Sequence, residues 1–181
     1  MSADGPRFDQ VLEQARQRAA ATPDPASAAA AATPATPLPD GAYLVVSFTY
    51  TLLSGWGLIH NPKVAVWIED TDGQLVRSLL VQGHLGIRTM AQWYAVLGDT
   101  ETTTSSTKPA GSTSIQWDGA DESGRRVPMG DYYVCIEASR DLGPRELIRH
   151  RLSLGTIRGT HHLPSCGELV AAAAFYSGAS A

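Results

Sequence analysis

An antiparallel β-sandwich is the fold class this sequence predicts, and three observations predict it. Apolar and polar residues alternate with a period of two in several short runs, the clearest being AYLVVSFTYTLL from Ala42 and YYVCIEASR from Tyr132. Stretches rich in Gly, Pro, Asp and Ser, the residues that reverse a chain, separate these runs. Nothing in the chain reads as a strand-helix-strand unit, which disfavours a parallel sheet.

The elements follow in order. In the first run Leu44, Val46, Phe48, Tyr50 and Leu52 share one face, and Val45, Ser47, Thr49 and Thr51 the other, as in a half-buried strand. SGWGLIHNP is a loop, and KVAVWIED is a second strand with Val64, Val66 and Ile68 opposite Ala65, Trp67 and Glu69. Asp70-Thr71-Asp72-Gly73 is a hairpin turn that pins the next strand, QLVRSLLV. GHLGIRTMAQWYAVLG breaks the period and suits one short helix with Met90, Trp93, Tyr94 and Leu97 on one side. DTETTTSSTKPAG is a polar loop before a strand through Ile115 and Trp117. After the turn-rich GADESGRRVPMGD, YYVCIEASR sets Tyr132, Val134, Ile136 and Ala138 against Tyr133, Cys135 and Glu137. ELIRHRLSLG is a further strand. LVAAAAFYS suits strand or helix by composition, and a strand is expected because Ala fits a crowded closing position beside Tyr176. The expected core holds Phe48, Val66, Ile68, Ile115, Trp117, Val134 and Ile136.

The sandwich is expected over residues 41–181, preceded by two segments of another kind. Residues 1–21 suit an amphipathic helix: Pro6 fits a first turn, and Phe8, Val11, Leu12, Ala15 and Ala19 make one apolar stripe. Residues 22–40, TPDPASAAAAATPATPLPD, have little to bury and prolines that block helix and ladder alike, so a flexible linker is expected.

Composition excludes several classes of function. Hydrophobic residues make up 43% and charged residues 18% of 181, an ordinary globular balance. The net charge of -4 leaves no domain-wide basic field, so no nucleic-acid partner is expected. No apolar run approaches the roughly 20 residues that span a bilayer, so no membrane span is expected. The first 30 residues do not read as a secretory signal, since they lack a basic start followed by an apolar core. Cys135 and Cys166 are enough for one bridge, but two buried or half-buried thiols are the plainer expectation.

The most specific stretch runs from Trp117 to Tyr132, WDGADESGRRVPMGDY. Asp118 and Asp121 suit Asx-type caps, Gly119, Gly124 and Gly130 suit positive φ, and Val127-Pro128 keeps the return extended. This hairpin resembles that of the immunoglobulin-like domain of the flagellar hook-cap protein. The ordered set of HNPKVAVWIEDTDGQLVRSLLV, TKPAGSTSIQWDGADESGRRVPMGDYYVCIEASRD and a late GEL resembles the bacterial predicted periplasmic proteins grouped as domain of unknown function 2271. The resemblance covers about residues 42–178. It implies an immunoglobulin-like sandwich and a periplasmic or envelope location, and no established activity.

It also draws attention to the loop before Lys108-Pro109-Ala110-Gly111. Members of that family often carry Asp-x-x-Thr-Gly-Ala-Thr there, similar to the acceptor motif to which a flavin transferase joins FMN through a phosphoester. The matching stretch is Glu101-Thr102-Thr103-Thr104-Ser105-Ser106-Thr107, which keeps Thr104 and Thr107 but has Glu for Asp and Ser-Ser for Gly-Ala. Thr107 is therefore the candidate acceptor of covalent FMN, against the plain reading of a solvated loop.

Other candidates weigh lightly. Asp118, Asp121 and Glu122 offer oxygen ligands for Ca²⁺, but turn capping explains them. His161, His162, Cys166 and Glu168 are zinc-type residues, although adjacent histidines on a strand face opposite ways. Cys135 has no readable catalytic partner, and Ser54 is not in a nucleophile elbow. Trp67, Trp93 and Trp117 read as core, and Trp56, flanked by glycines, as core or as a contact residue. The expected function is a non-catalytic interaction or structural module that binds a protein partner. The alternative is an accessory of extracytoplasmic electron transfer carrying FMN on the 101–107 loop.

Overall fold

The structure, a computed structural model, describes residues 35–52, 61–83, 90–97, 107, 109–140 and 143–179. The helix expected over 1–21 and the linker as far as residue 34 lie outside the described residues, as do Ser54, Trp56, His60 and His84.

Eight strands and one short helix follow in order: β1 (Leu44–Tyr50), β2 (Lys63–Glu69), β3 (Leu75–Gln82), α1 (Ala91–Leu97), β4 (Gly111–Trp117), β5 (Gly130–Ser139), β6 (Arg145–Leu154), β7 (Gly159–His162) and β8 (Leu169–Tyr176). They form two four-stranded sheets, β4-β1-β8-β7 and β3-β2-β5-β6, antiparallel throughout. The expected β-sandwich is therefore present, and LVAAAAFYS is a strand. β7 had no alternating signal to reveal it, because Gly-Thr-His-His is short and polar.

The core between the sheets is built from the period-two faces. Along β1 every second residue from Leu44 to Tyr50 is buried. Phe48, Val66, Ile68, Trp117, Val134 and Ile136 are buried as expected. Ile115 is only half-buried, because β4 is an edge strand with no hydrogen-bonded neighbour on one side among the described residues.

The second sheet departs from simple alternation. All seven residues of β2 are buried, since α1 lies over the outer face. Met90 and Trp93 pack there with Ala65, Trp67, Val81 and Cys135, and the Trp67 and Trp93 rings are 5.3 Å apart. The Glu137 carboxylate on β5 holds the helix start, accepting from the backbone N–H groups of Gln92 (3.2 Å) and Trp93 (2.7 Å). Burial pushes that carboxyl above the usual range, against the pull of these donors.

The sandwich also begins earlier than residue 41. Leu38 is 2% exposed, its N–H donates to Val127 O (2.9 Å), and Met129 N–H donates to Thr36 O (2.7 Å). The Arg126 guanidinium fastens this strap from the other side, donating to the carbonyls of Leu38 (3.0 Å), Pro39 and Ala42 (3.1 Å). The prolines of the tract hid a segment that needs only one apolar side chain to join the core.

Candidate functional site

One end of the sandwich gathers four connections. Tyr50, Lys63, Gln82, Gly111, Ser139, Arg145 and Leu169 all lie at strand ends on that side, as the pairings Tyr50–Gly111, Tyr50–Leu169, Lys63–Ser139, Val64–Gln82 and Ser139–Arg145 require. The β1–β2, β3–β4, β5–β6 and β7–β8 connections therefore leave from the same end. The opposite end carries the 70–74 hairpin and the WDGADESG turn.

Beneath the loops lies a buried network of charges. Glu168, at 0% exposure, accepts two N–H groups of Arg140, from Nε at 3.2 Å and Nη2 at 2.5 Å, and the Tyr50 hydroxyl. Glu146 accepts the backbone N–H groups of Glu168 (2.7 Å) and Leu169 (2.9 Å). Cys166-Gly167-Glu168-Leu169 is a tight turn closed by paired bonds between Cys166 and Leu169, each 2.8 Å. Gly167 makes it possible. Its φ is +52°, and a Cβ there would stand 1.8 Å from Glu146 Oε1. Burial, then the neighbouring Glu168 carboxylate, raises the Tyr50 phenol well above its ordinary value, and the bond to Glu168 raises Arg140.

Two buried carboxylates are costly unless their lone pairs are satisfied. Here Glu168 is neutralised by Arg140 and Glu146 is bound by main-chain donors, so both carboxylates fasten loops to the sheets. Little short of the late GEL signals this network along the chain, because its members are 22, 28 and 118 positions apart.

The other sequence-level candidates are not brought together. Thr107 is half-buried ahead of β4, while Glu101–Ser106 and Lys108 lie outside the described residues. Asp118 Oδ1 caps Ala120 N (3.0 Å), and Asp121 Oδ1 accepts from the N–H of Ser123 (2.9 Å) and of Arg125 (3.0 Å). Glu122 Oε1 accepts from Ser78 N (2.6 Å), so these three acids are turn and edge caps. Gly119 and Gly124 have φ of +80° and +81°, but Gly130 does not share this and instead opens β5 opposite Leu154. His161 is half-buried with its ring 6.5 Å from that of His150, His162 is exposed, and Glu168 belongs to the buried network. Among the described residues no group of three potential metal ligands occurs. Cys135 and Cys166 are free thiols, and burial raises the Cys135 thiol above its usual range. Trp67, Trp93 and Trp117 are core, the last donating its indole N–H to Ala120 O (2.8 Å).

Among the described residues no helix is long and apolar enough to cross a membrane. No curated protein and no solved structure matches the chain. A family model described as "Predicted periplasmic protein (DUF2271)" matches residues 44–170, from the first residue of β1 into β8. The chain belongs to that family of predicted periplasmic proteins, whose description supports a periplasmic or envelope location.

Proposed function

We propose that the protein is a non-catalytic, immunoglobulin-like binding module of the cell envelope, presenting its loop-bearing end to a protein partner. The observation that carries this reading is the convergence of four connections at one end, with a buried charge network that fixes the bases of three of them. The strand order supports it. The sheet β3-β2-β5-β6 corresponds to C′-C-F-G of an immunoglobulin variable domain, and β4-β1-β8 to E-B-A with strand A supplied from late in the chain. In such domains the B–C and F–G loops lie at the binding end, and here they correspond to the β1–β2 and β5–β6 connections. Fold analogy alone does not give function, so the test is made at the loops. Photo-crosslinking residues placed at the exposed positions Thr51, Asn61 and Pro109 should capture one discrete partner in the envelope fraction, and the same residues at Asp72 and Ser123 should not. Equal capture at both ends, or none at either, sinks the reading.

The alternative, covalent FMN on Thr107, meets a residue that is half-buried, whereas a transferase needs an open hydroxyl. Co-expression with a flavin transferase tests it by intact mass. A gain of one FMN less water, lost in Thr107→Ala, would replace the first reading, and an unchanged mass disposes of the second.

A further inference from the structure

We propose that β4 is the interface between two copies of this chain, joined edge to edge and antiparallel about Ser114 into one eight-stranded sheet. Exposed strand edges invite pairing, and proteins usually blunt them. Three of the four edges here are blunted. The edge of β3 is sealed by the WDGADESG turn, through Glu122 N to Val76 O (3.0 Å), Ser78 N to Glu122 Oε1 (2.6 Å) and Arg77 Nη1 to Asp121 O (2.8 Å). β6 exposes Arg145, Arg149 and Arg151, and β7 is only four residues long. β4, GSTSIQW, has seven residues, no charge and no proline, and among the described residues nothing bonds to its outer edge.

A second copy complements β4 at every position. About a two-fold axis at Ser114, Thr113 of one copy meets Ile115 of the other, twice. Both side chains are half-buried on the inner side, so pairing would complete the burial that Ile115 lacks in the single chain. On the outer face Ser112 meets Gln116 and Ser114 meets Ser114, all exposed and uncharged. Gly111 of the second copy comes opposite Trp117, beside an open cleft of about 260 Å³ lined by Arg77, Ser78, Leu79, Gln116, Trp117 and Asp118. The slim end of one strand thus meets the bulky end of the other.

Sedimentation of the intact protein over a wide concentration range should show a reversible dimer. Ser114→Lys puts two ammonium groups together at the axis and touches nothing in the core, so it should weaken the dimer roughly tenfold or more with unchanged circular dichroism. Ser114→Cys should give a disulfide-linked dimer, because residues facing each other in an antiparallel pair have Cα atoms about 4.5–5.5 Å apart, within disulfide reach. His162→Cys on β7 should not. A monomer at every concentration overturns the proposal and leaves the edge to a strand from another protein. A dimer that ignores Ser114→Lys and does not cross-link through Ser114→Cys also overturns it, and moves the contact to another surface.

Discussion

The two ends of the sandwich fasten loops by the same means, side chains bonded to backbone, in opposite settings. At the turn end the Asp caps are short-range and near water. Asp118 and Asp121 cap N–H groups two to four residues away, and Asp121 is held below the usual carboxylate range first by the Ser123 hydroxyl. At the loop end Glu146 and Glu168 act from 22 to 118 positions away with full charges in the core. Reach alone does not separate the two ends, since Arg126 and Glu122 bridge 84–88 and 44 positions at the turn end; what the loop end has is greater strength per anchor. Charge-assisted bonds in a dry interior supply that strength, at the risk of stranding a charge if one partner is lost.

The comparison breaks first at Gly167. Gly167→Ala must drive the Glu146 carboxylate from its backbone donors at a φ of +52°. A loss of about 3–5 kcal/mol is expected in urea denaturation. A loss under about 1 kcal/mol would show that the turn has another way to close. Next, Arg140→Met removes the guanidinium paired with buried Glu168 and should cost about 3–5 kcal/mol. Adding Glu168→Leu should recover much of that, because replacing both partners removes the stranded charge. Without recovery, the two residues are not acting as a pair.

At the turn end a smaller cost is expected. Arg126→Ala releases the carbonyls of Leu38, Pro39, Ala42 and Asp118, and should cost about 1–3 kcal/mol while loosening the strap, read as faster amide exchange at Leu38 and Met129. If those amides stay protected, the buried Leu38 side chain holds the strap by itself. The smallest effect at neutral pH is electrostatic. Burial, followed by Glu168, raises the Tyr50 phenol above its unfolded value, and burial, followed by Asp70, raises that of Tyr132 to about 12. Raised folded values mean stability that is complete below about pH 10 and declines as pH climbs toward the folded values. Tyr50→Phe should flatten part of that alkaline decline and leave the neutral-pH slope unchanged. A wild-type slope in the variant would place the alkaline sensitivity elsewhere.

What the sequence made legible follows the same division. The strands other than β7, the 70–73 hairpin and the caps at Asp118 and Asp121 were readable, because each is decided within about ten residues by period and turn chemistry. The Tyr50–Glu168–Arg140 network was not, since no local pattern says that Glu168 will meet Arg140 across two sheets. Trp67 was recognised as core, but the burial of both faces of β2 depends on where α1 comes to lie. Leu38 was missed because a lone apolar residue among prolines has no period. Ile115 was expected in the core because its alternation is good, and alternation carries no information about whether a strand has a neighbour.

β1 lies between β4 and β8, and the bond from Tyr50 to Glu168 spans 118 positions. The two layers are therefore made on different clocks. The β3-β2-β5-β6 layer draws only on residues 63–154, whereas the other cannot close until residue 176 has been synthesised. Pairings of such long range carry a large loop-closure entropy and form slowly. Until then the second layer cannot cover the apolar face of the first.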